Sequence, residues 1–385
     1  MKENLHTDTK IGIFSFFAGA GFLDLGFEMT KGFETLFVNE YHEPFMDIYK
    51  SSRVRLGLKQ PTFGYSTDDI TTFLDDNNEN FLKSCIEQSR NNSDLIGFIG
   101  GPPCPDFSVG GKNKGIKGEN GKLSGTYVEL IVRNQPDFFL FENVKGLYRT
   151  KKHRQFFEEV KLKLISSGYY LTEKLINAIE FGAPQDRERI ILIGFKRDTL
   201  ADSGLGLNSS SILKSFDWNV KTLYSAKDIL SKNWPDQEPF KENSQKPIPN
   251  GLNKKLTIEH WFQKNDVKKH PNAEHCFQPR AGLTKFQSIQ EGDDLKKSYK
   301  RLHRWRYSPT AAYGNNEVHL HPYKARRISA AEALAIQSLP KDFIIPDHIS
   351  LTNMFKTIGN GVPFLAAKGL AETISIFIES IKKRN

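Results

Sequence analysis

The sequence predicts an α/β fold: a Rossmann-like, mostly parallel open sheet, with a second, smaller domain inserted late in the chain. Three observations carry that prediction. Apolar runs of strand length recur through the first half, several ending at a glycine or an acid. The first of them passes through a glycine turn into helical periodicity, the opening of a nucleoside- or dinucleotide-binding unit. After about residue 198 the chain turns polar and weakly periodic, rich in Lys, Asn, Ser and Pro. That texture suggests an inserted domain of short strands and long loops.

The first predicted strand covers residues 11–17. It ends at Ala18-Gly19-Ala20-Gly21, and a helix reads on through Phe22, Leu25, Gly26 and Met29. Gly19 and Gly21 make G-x-G, but Gly26 comes too late for G-x-G-x-x-G, and no phosphate-binding Lys or Ser is present. A nucleoside without phosphates is therefore favoured over a nicotinamide dinucleotide. The second strand, 35–40, ends at Glu40, about twenty residues past the glycine turn, where an acid either accepts from both ribose hydroxyls or meets solvent. Residues 43–50 are helical. Asp69-Ile70, near a third strand, offers a carboxylate for an adenine amino group and an apolar side chain for the ring.

The fourth strand, 95–99, feeds Gly100-Gly101-Pro102-Pro103-Cys104-Pro105. Glycines let the backbone turn, and the prolines fix φ on either side of the cysteine. Cys104 is then either an aimed nucleophile or a small buried hydrophobe. Residues 110–118 are glycine-rich and basic, either a loop that closes over a polyanion or a plain surface loop. The fifth strand, 138–141, is capped by Glu142-Asn143-Val144. An acid at that sheet edge sits where α/β folds place active sites, and burial among phenylalanines raises its pKa as a general acid needs. A helix over 151–166 follows. Gln185, Arg187 and Arg189 alternate into a sixth strand, 190–195, and share one face. The two arginines hold an anion or a carbonyl oxygen, or else pair with Asp186 and Glu188.

In the polar segment, residues 296–307 interleave basic residues with aromatics, a pattern suited to a nucleic-acid surface. Ser329 and Glu332 form a capping box for a helix, a structural role. Ile358-Gly359-Asn360-Gly361-Val362-Pro363 turns into a last helix over 364–381, where Asn360 faces a ligand or caps.

Composition narrows the function. The chain of 385 residues carries 54 Lys+Arg against 45 Asp+Glu, a formal net charge of +9, which suits a polyanionic partner. Its three cysteines, Cys85, Cys104 and Cys276, form no CxxC pair, and no histidine cluster has metal-ligand spacing, so neither a disulfide framework nor a metal site is expected. No signal-peptide pattern and no run near the ~18 residues of a membrane span occurs, so a cytoplasmic protein with no membrane partner is expected.

Taken in order, these stretches resemble the DNA cytosine-5 methyltransferase family. The resemblance covers 11–198 and 324–372 and rests on eight elements: Phe17-Ala18-Gly19-Ala20-Gly21, Glu40, Asp69-Ile70, Pro103-Cys104, Glu142-Asn143-Val144, Gln185-x-Arg187-x-Arg189, Arg326-Arg327-Ile328-Ser329-x-x-Glu332 and Gly359-Asn360-x-Val362. Gly125-Thr126-Tyr127 matches a looser ninth. The chain departs at Pro105 and at Thr357, where many members have Gln.

The resemblance implies a methyltransferase fold that depends on S-adenosylmethionine. It implies a catalytic set of Cys104, Glu142, Arg187 and Arg189. The Cys104 thiolate would attack C6 of cytosine, Glu142 would protonate N3, and Arg189, helped by Arg187, would hold O2. Phe17 would stack on the cofactor's adenine, Glu40 bind its ribose, and Asp69 with Ile70 its adenine. Ala18, Gly19, Gly21, Pro103, Asn360 and Val362 would complete the cofactor site. The target base would be flipped out of double-stranded DNA at a cost of a few kcal/mol.

The expected organisation is a catalytic domain over 1–198, a target-recognition domain over 199–353 and a return to the catalytic domain over 354–385. A lean architecture suggests the modification half of a bacterial restriction–modification pair, monomeric, with a cognate endonuclease acting on the same site. The alternatives are a transfer-RNA methyltransferase of the same fold and a non-enzymatic DNA-binding relative, against which the intact Cys104, Glu142 and Arg189 argue.

Overall fold

The computed structural model describes residues 9–103, 119–201, 203, 205, 211–296, 298–313 and 317–382. Cys104 and the glycine-rich 110–118 lie outside the described residues. Seven strands form one sheet: β1 (Ile11–Phe16), β2 (Phe33–Asn39), β3 (Tyr65–Ser66), β4 (Leu95–Gly100), β5 (Phe138–Val144), β6 (Tyr169–Asn177) and β7 (Glu188–Lys196), in the order β3-β2-β1-β4-β5-β7-β6. β1 pairs in parallel with β2 and β4, as β2 does with β3 and β4 with β5, while β7 runs antiparallel to both β5 and β6. The order reverses at β1/β4, the place where such sheets bind ligands.

Alternation builds two core layers on the sheet. Ile11, Ile13, Phe138, Leu140, Ile191 and Ile193 pack on one face with α1 (Phe22–Glu28) and the C-terminal helix Phe364–Lys382. Phe14, Phe16, Phe139, Phe141, Ile190 and Leu192 pack on the other with the helices Glu119–Asn134 and Lys151–Ser166. The stretch Leu351–Lys382 is apolar enough to pass as a membrane span, yet 72% of its window is buried inside the protein, so core packing accounts for its composition.

The nine-residue β6 was not foreseen. Glu173 and Lys174 interrupt its apolar pattern because it is an edge strand, and Glu173 pairs with Arg154 and Lys161 of the neighbouring helix. Nor do the expected short strands form in the polar segment. Among its described residues there are only isolated bridges, such as Arg301 to Leu320. The described part of 199–353 also shares a core with the first α/β unit: Trp261, Leu302, Ile328 and Leu334 cluster with Ala20, Phe22, Leu25 and Ile48.

The middle of the basic–aromatic run, residues 301–305, is interior. Arg301, His303, Arg304 and Trp305 are buried. Arg301 donates to the carbonyls of Ile289, Phe286, His321 and Lys324, and Arg304 forms a two-pronged pair with buried Glu291 (2.8 and 2.9 Å). These cations hold loops together, which corrects their reading as a nucleic-acid surface.

Candidate active site

The first βα turn is tightly wound. Phe17 (φ 54°), Gly19 (φ 58°) and Gly21 (φ 75°) all lie in the left-handed region, and Phe17 is not a residue that adopts it cheaply. Glu40, just past β2, braces the turn: its carboxylate accepts the Gly19 N–H (2.8 Å) and the His42 N–H (2.8 Å). Burial pushes the Glu40 pKa up, partly offset by those two N–H groups and by Lys356. Asn39 donates to the Asp68 carbonyl (2.9 Å), which draws the Asp69 loop to the same edge. A Cβ on Gly19 would meet nothing within 4 Å. Open space at Gly19, with the half-buried Glu40 carboxylate and the half-buried Phe17 ring at the same turn, fits a nucleoside cofactor with ribose hydroxyls to donate.

Several expected cofactor residues also serve the scaffold. The space that Gly21 leaves open is filled by Arg53 and Tyr49, at 2.3 and 2.5 Å from where a Cβ would be. Ile70 is 3% exposed and packs in the core with Phe16, Phe37 and Phe73. Val362 is likewise a core residue, and Ala18 packs against Val38, Met46 and Tyr49. Asp69 caps the 3-10 turn Ile70–Leu74 through Oδ1, which accepts from the Thr71 N–H and hydroxyl. Asn360 is exposed. It ends the helix Leu351–Asn360 rather than opening one.

At the sheet's other half, Glu142 lies within β5, opposite Ile191 of β7, rather than after the strand. Its carboxylate is 2.8 Å from the Arg189 Nε. Burial raises the Glu142 pKa, and Arg189, then Arg187, pull it partly back. A Cβ on Gly101 would come within 2.7 Å of Glu142 Oε2, so the acid sits against the root of the Pro-Pro-Cys loop. Asn143 donates to the Pro102 carbonyl (3.4 Å) from the same strand. Pro103, half-buried, is the last described residue before Cys104. The two halves meet at Tyr127, which donates to the Leu140 carbonyl (3.0 Å) and sets its ring against Phe17 and Phe141.

Arg187, expected in the catalytic set, is bonded to the backbone of two later segments. It is 1% exposed and donates to the carbonyls of Ala311 (2.7 Å), Gly359 (2.7 Å) and Asn360 (3.3 Å). A guanidinium so engaged positions the 311 and 359–360 segments. Gln185 meets the same segment by accepting the Ala311 N–H (3.1 Å), so the predicted shared face exists.

An open α/β sheet, a braced glycine turn and a buried acid–arginine pair on the same sheet fit an enzyme that binds a nucleoside cofactor. A family model for C-5 cytosine-specific DNA methylases matches residues 11–375, and the chain belongs to that family. Type II methyltransferase M.NmeDI of Neisseria meningitidis serogroup C is 58% identical over 375 residues, 97% of this chain and 86% of the relative. M.FnuDI of Fusobacterium nucleatum is 28% identical, covering 96% of this chain and 97% of its own. Among solved structures, a DNA modification methyltransferase encoded within an E. coli prophage superimposes with a TM-score of 0.62 at 22% identity, covering 96% of this chain and all of that one. The S. pombe Dnmt2 methyltransferase does so at 0.58 and 13%, covering 96% of this chain and 99% of its own. The protein is a DNA cytosine-5 methyltransferase, and its cofactor is S-adenosylmethionine.

Proposed function

We propose that Cys104, Glu142 and Arg189 carry the reaction. C5 of cytosine is a weak nucleophile. Bonding of the Cys104 thiolate to C6 makes the ring an enamine with electron density at C5. A proton from Glu142 to N3 drives that step, and Arg189 stabilises charge at O2. When bound, S-adenosylmethionine supplies an electrophilic methyl group. The C5 proton then passes to solvent as the Cys104–C6 bond breaks and the thiolate leaves, and N3 returns its proton to Glu142. The observation that carries this reading is the buried Glu142–Arg189 pair against Gly101, at the root of the cysteine loop. Phe17, Gly19, Glu40 and Asp69 contact the cofactor, while Ala18, Gly21, Ile70, Pro103, Asn360 and Val362 shape the site around it.

Residues 199–353 recognise the DNA sequence. The target cytosine is flipped from the duplex, because a stacked base cannot reach such a pocket. The enzyme works as a cytoplasmic monomer and protects its own DNA from a cognate restriction endonuclease. The names of the Type II relatives and the basic charge of the chain support that role. Bisulfite sequencing of plasmid DNA from cells expressing the protein tests it. Protected cytosines at one short recurring motif are expected. Their absence with folded protein present, or equal methylation by Cys104→Ser, refutes it.

A further inference from the structure

We infer that Arg53, which matches none of the motif elements, is a positioning residue for cofactor binding; this rests on the reading of the glycine turn as the cofactor site. Arg53 comes from the helix Glu43–Arg55 and is 0% exposed. It reaches beneath the turn and donates to the carbonyls of Ala20 (Nη1, 3.1 Å) and Gly21 (Nη2, 2.7 Å). Its remaining contacts are Ser52 Oγ (3.1 Å) and the Glu28 carboxylate (2.9 Å), and it lies over the Tyr49 ring at 3.7 Å. Tyr49 in turn donates to Asp24 (3.0 Å).

The turn needs such a brace. Three of its five residues from Phe17 to Gly21 are left-handed; the two glycines adopt that conformation freely, but Phe17 keeps it only where its surroundings over-determine it. Glu40 ties the turn through the Gly19 N–H, and the Asn39 carbonyl ties it through the Ala18 N–H (3.2 Å). Those contacts fix its donors. Arg53 fixes its acceptors at Ala20 and Gly21, and a Cβ on Gly19 would still meet nothing within 4 Å. Gly21 is glycine because the guanidinium occupies the place of its Cβ. The fork matters as well as the charge: one planar group spans two carbonyls and a carboxylate, which an ammonium cannot reproduce.

The test is calorimetric binding of S-adenosylmethionine and of S-adenosylhomocysteine, beside duplex-DNA affinity and melting temperature. Arg53→Lys is expected to weaken both cofactor ligands at least tenfold and leave DNA affinity within twofold. Tyr49→Phe loses its hydroxyl bonds but keeps its ring, so it is expected to lower the melting temperature and spare cofactor affinity. Cofactor affinity within twofold of wild type in Arg53→Lys overturns the inference, and so does an equal loss in Tyr49→Phe. If Arg53→Lys does not fold, Glu28→Gln decides: a threefold or greater loss supports the inference and an unchanged affinity overturns it. Gly19→Asn separates the underlying reading, since Asn tolerates the left-handed region and its side chain would enter the open space. Wild-type cofactor affinity in Gly19→Asn refutes the turn as the cofactor site, whatever Arg53 does.

Discussion

Replacing Gly101 by Ala tests whether Glu142 is held where the reaction needs it. Gly101 has no left-handed φ, so Ala fits its backbone. The added Cβ would lie 2.7 Å from Glu142 Oε2, and ordinary contact begins at 3.4 Å, so the carboxyl must retreat by 3.4 − 2.7 = 0.7 Å. It cannot retreat freely, because its other oxygen is tied to Arg189 at 2.8 Å and the side chain is buried. A misplacement of about 1 Å at a reacting group costs up to about 10²-fold, so a loss of about 10- to 100-fold in kcat is expected, about 1.4 to 2.7 kcal/mol. The glycine turn lies across the sheet edge, so S-adenosylmethionine affinity should stay within twofold. Tritium release from DNA carrying [5-³H]cytosine reads the step, and calorimetry reads the cofactor. Unchanged tritium release in folded Gly101→Ala would show that contact with the loop root does not place the acid.

Three further predictions follow from buried charge. kcat/KM should fall as pH rises through the Glu142 value, which burial raises above 4.5, because the protonated acid is lost there. Glu142→Gln should lower kcat by about 10²- to 10⁴-fold and abolish that fall; a fall that persists belongs to another group. Arg304→Met should cost about 3 kcal/mol in urea unfolding, at the low end for a broken buried pair, because buried Glu291 keeps only Lys246 (3.4 Å) and the residue 304 N–H (3.0 Å), and adding Glu291→Gln should recover part of it. A loss under about 1 kcal/mol would refute that pairing as a structural requirement. Burial pushes Asp24 from 3.8 up to about 6, against the pull of Arg53. The native state then holds this proton more tightly than the unfolded chain, so stability falls as pH rises from 3.8 to about 6. The change is (6 − 3.8) at about 1.4 kcal/mol per pH unit, about 3 kcal/mol. Asp24→Asn should flatten that slope, which unfolding curves at pH 4 and pH 7 would show; an unaltered difference refutes it.

What was legible in the sequence was what local chemistry decides. A strand that ends in Ala-Gly-Ala-Gly must turn, and Glu40 had to emerge beside that turn once β2 paired with β1. Glu142 was legible as a buried acid because phenylalanines precede it, although the strand runs on through Val144. Ser329 and Glu332 form the capping box that their spacing requires. Gly21 and Val362 were legible as important but not in what they do. Their motif context pointed to a ligand, whereas a distant side chain or the core occupies the space around them.

The misread elements share a physical reason. A cation's meaning lies in its partner, and partners are set by tertiary approach. Arg187 meets Ala311 across 124 positions, Arg53 meets Gly21 across 32, and Arg301 meets the His321 carbonyl across 20. In sequence, such arginines look the same as arginines waiting for phosphate. This alters what the net charge of +9 says about DNA. Arg53, Arg187 and Arg301 are among the largest fully buried side chains, so part of the positive charge is spent inside the fold on carbonyls and on Glu28. Phosphates must be met by the exposed lysines and by segments other than the buried 301–305 core. A charge-neutralising scan aimed at DNA affinity should therefore begin at exposed lysines such as Lys254, Lys255, Lys268 and Lys269. Substituting the buried residues 301–305 would disturb the loops they hold before it reported on DNA.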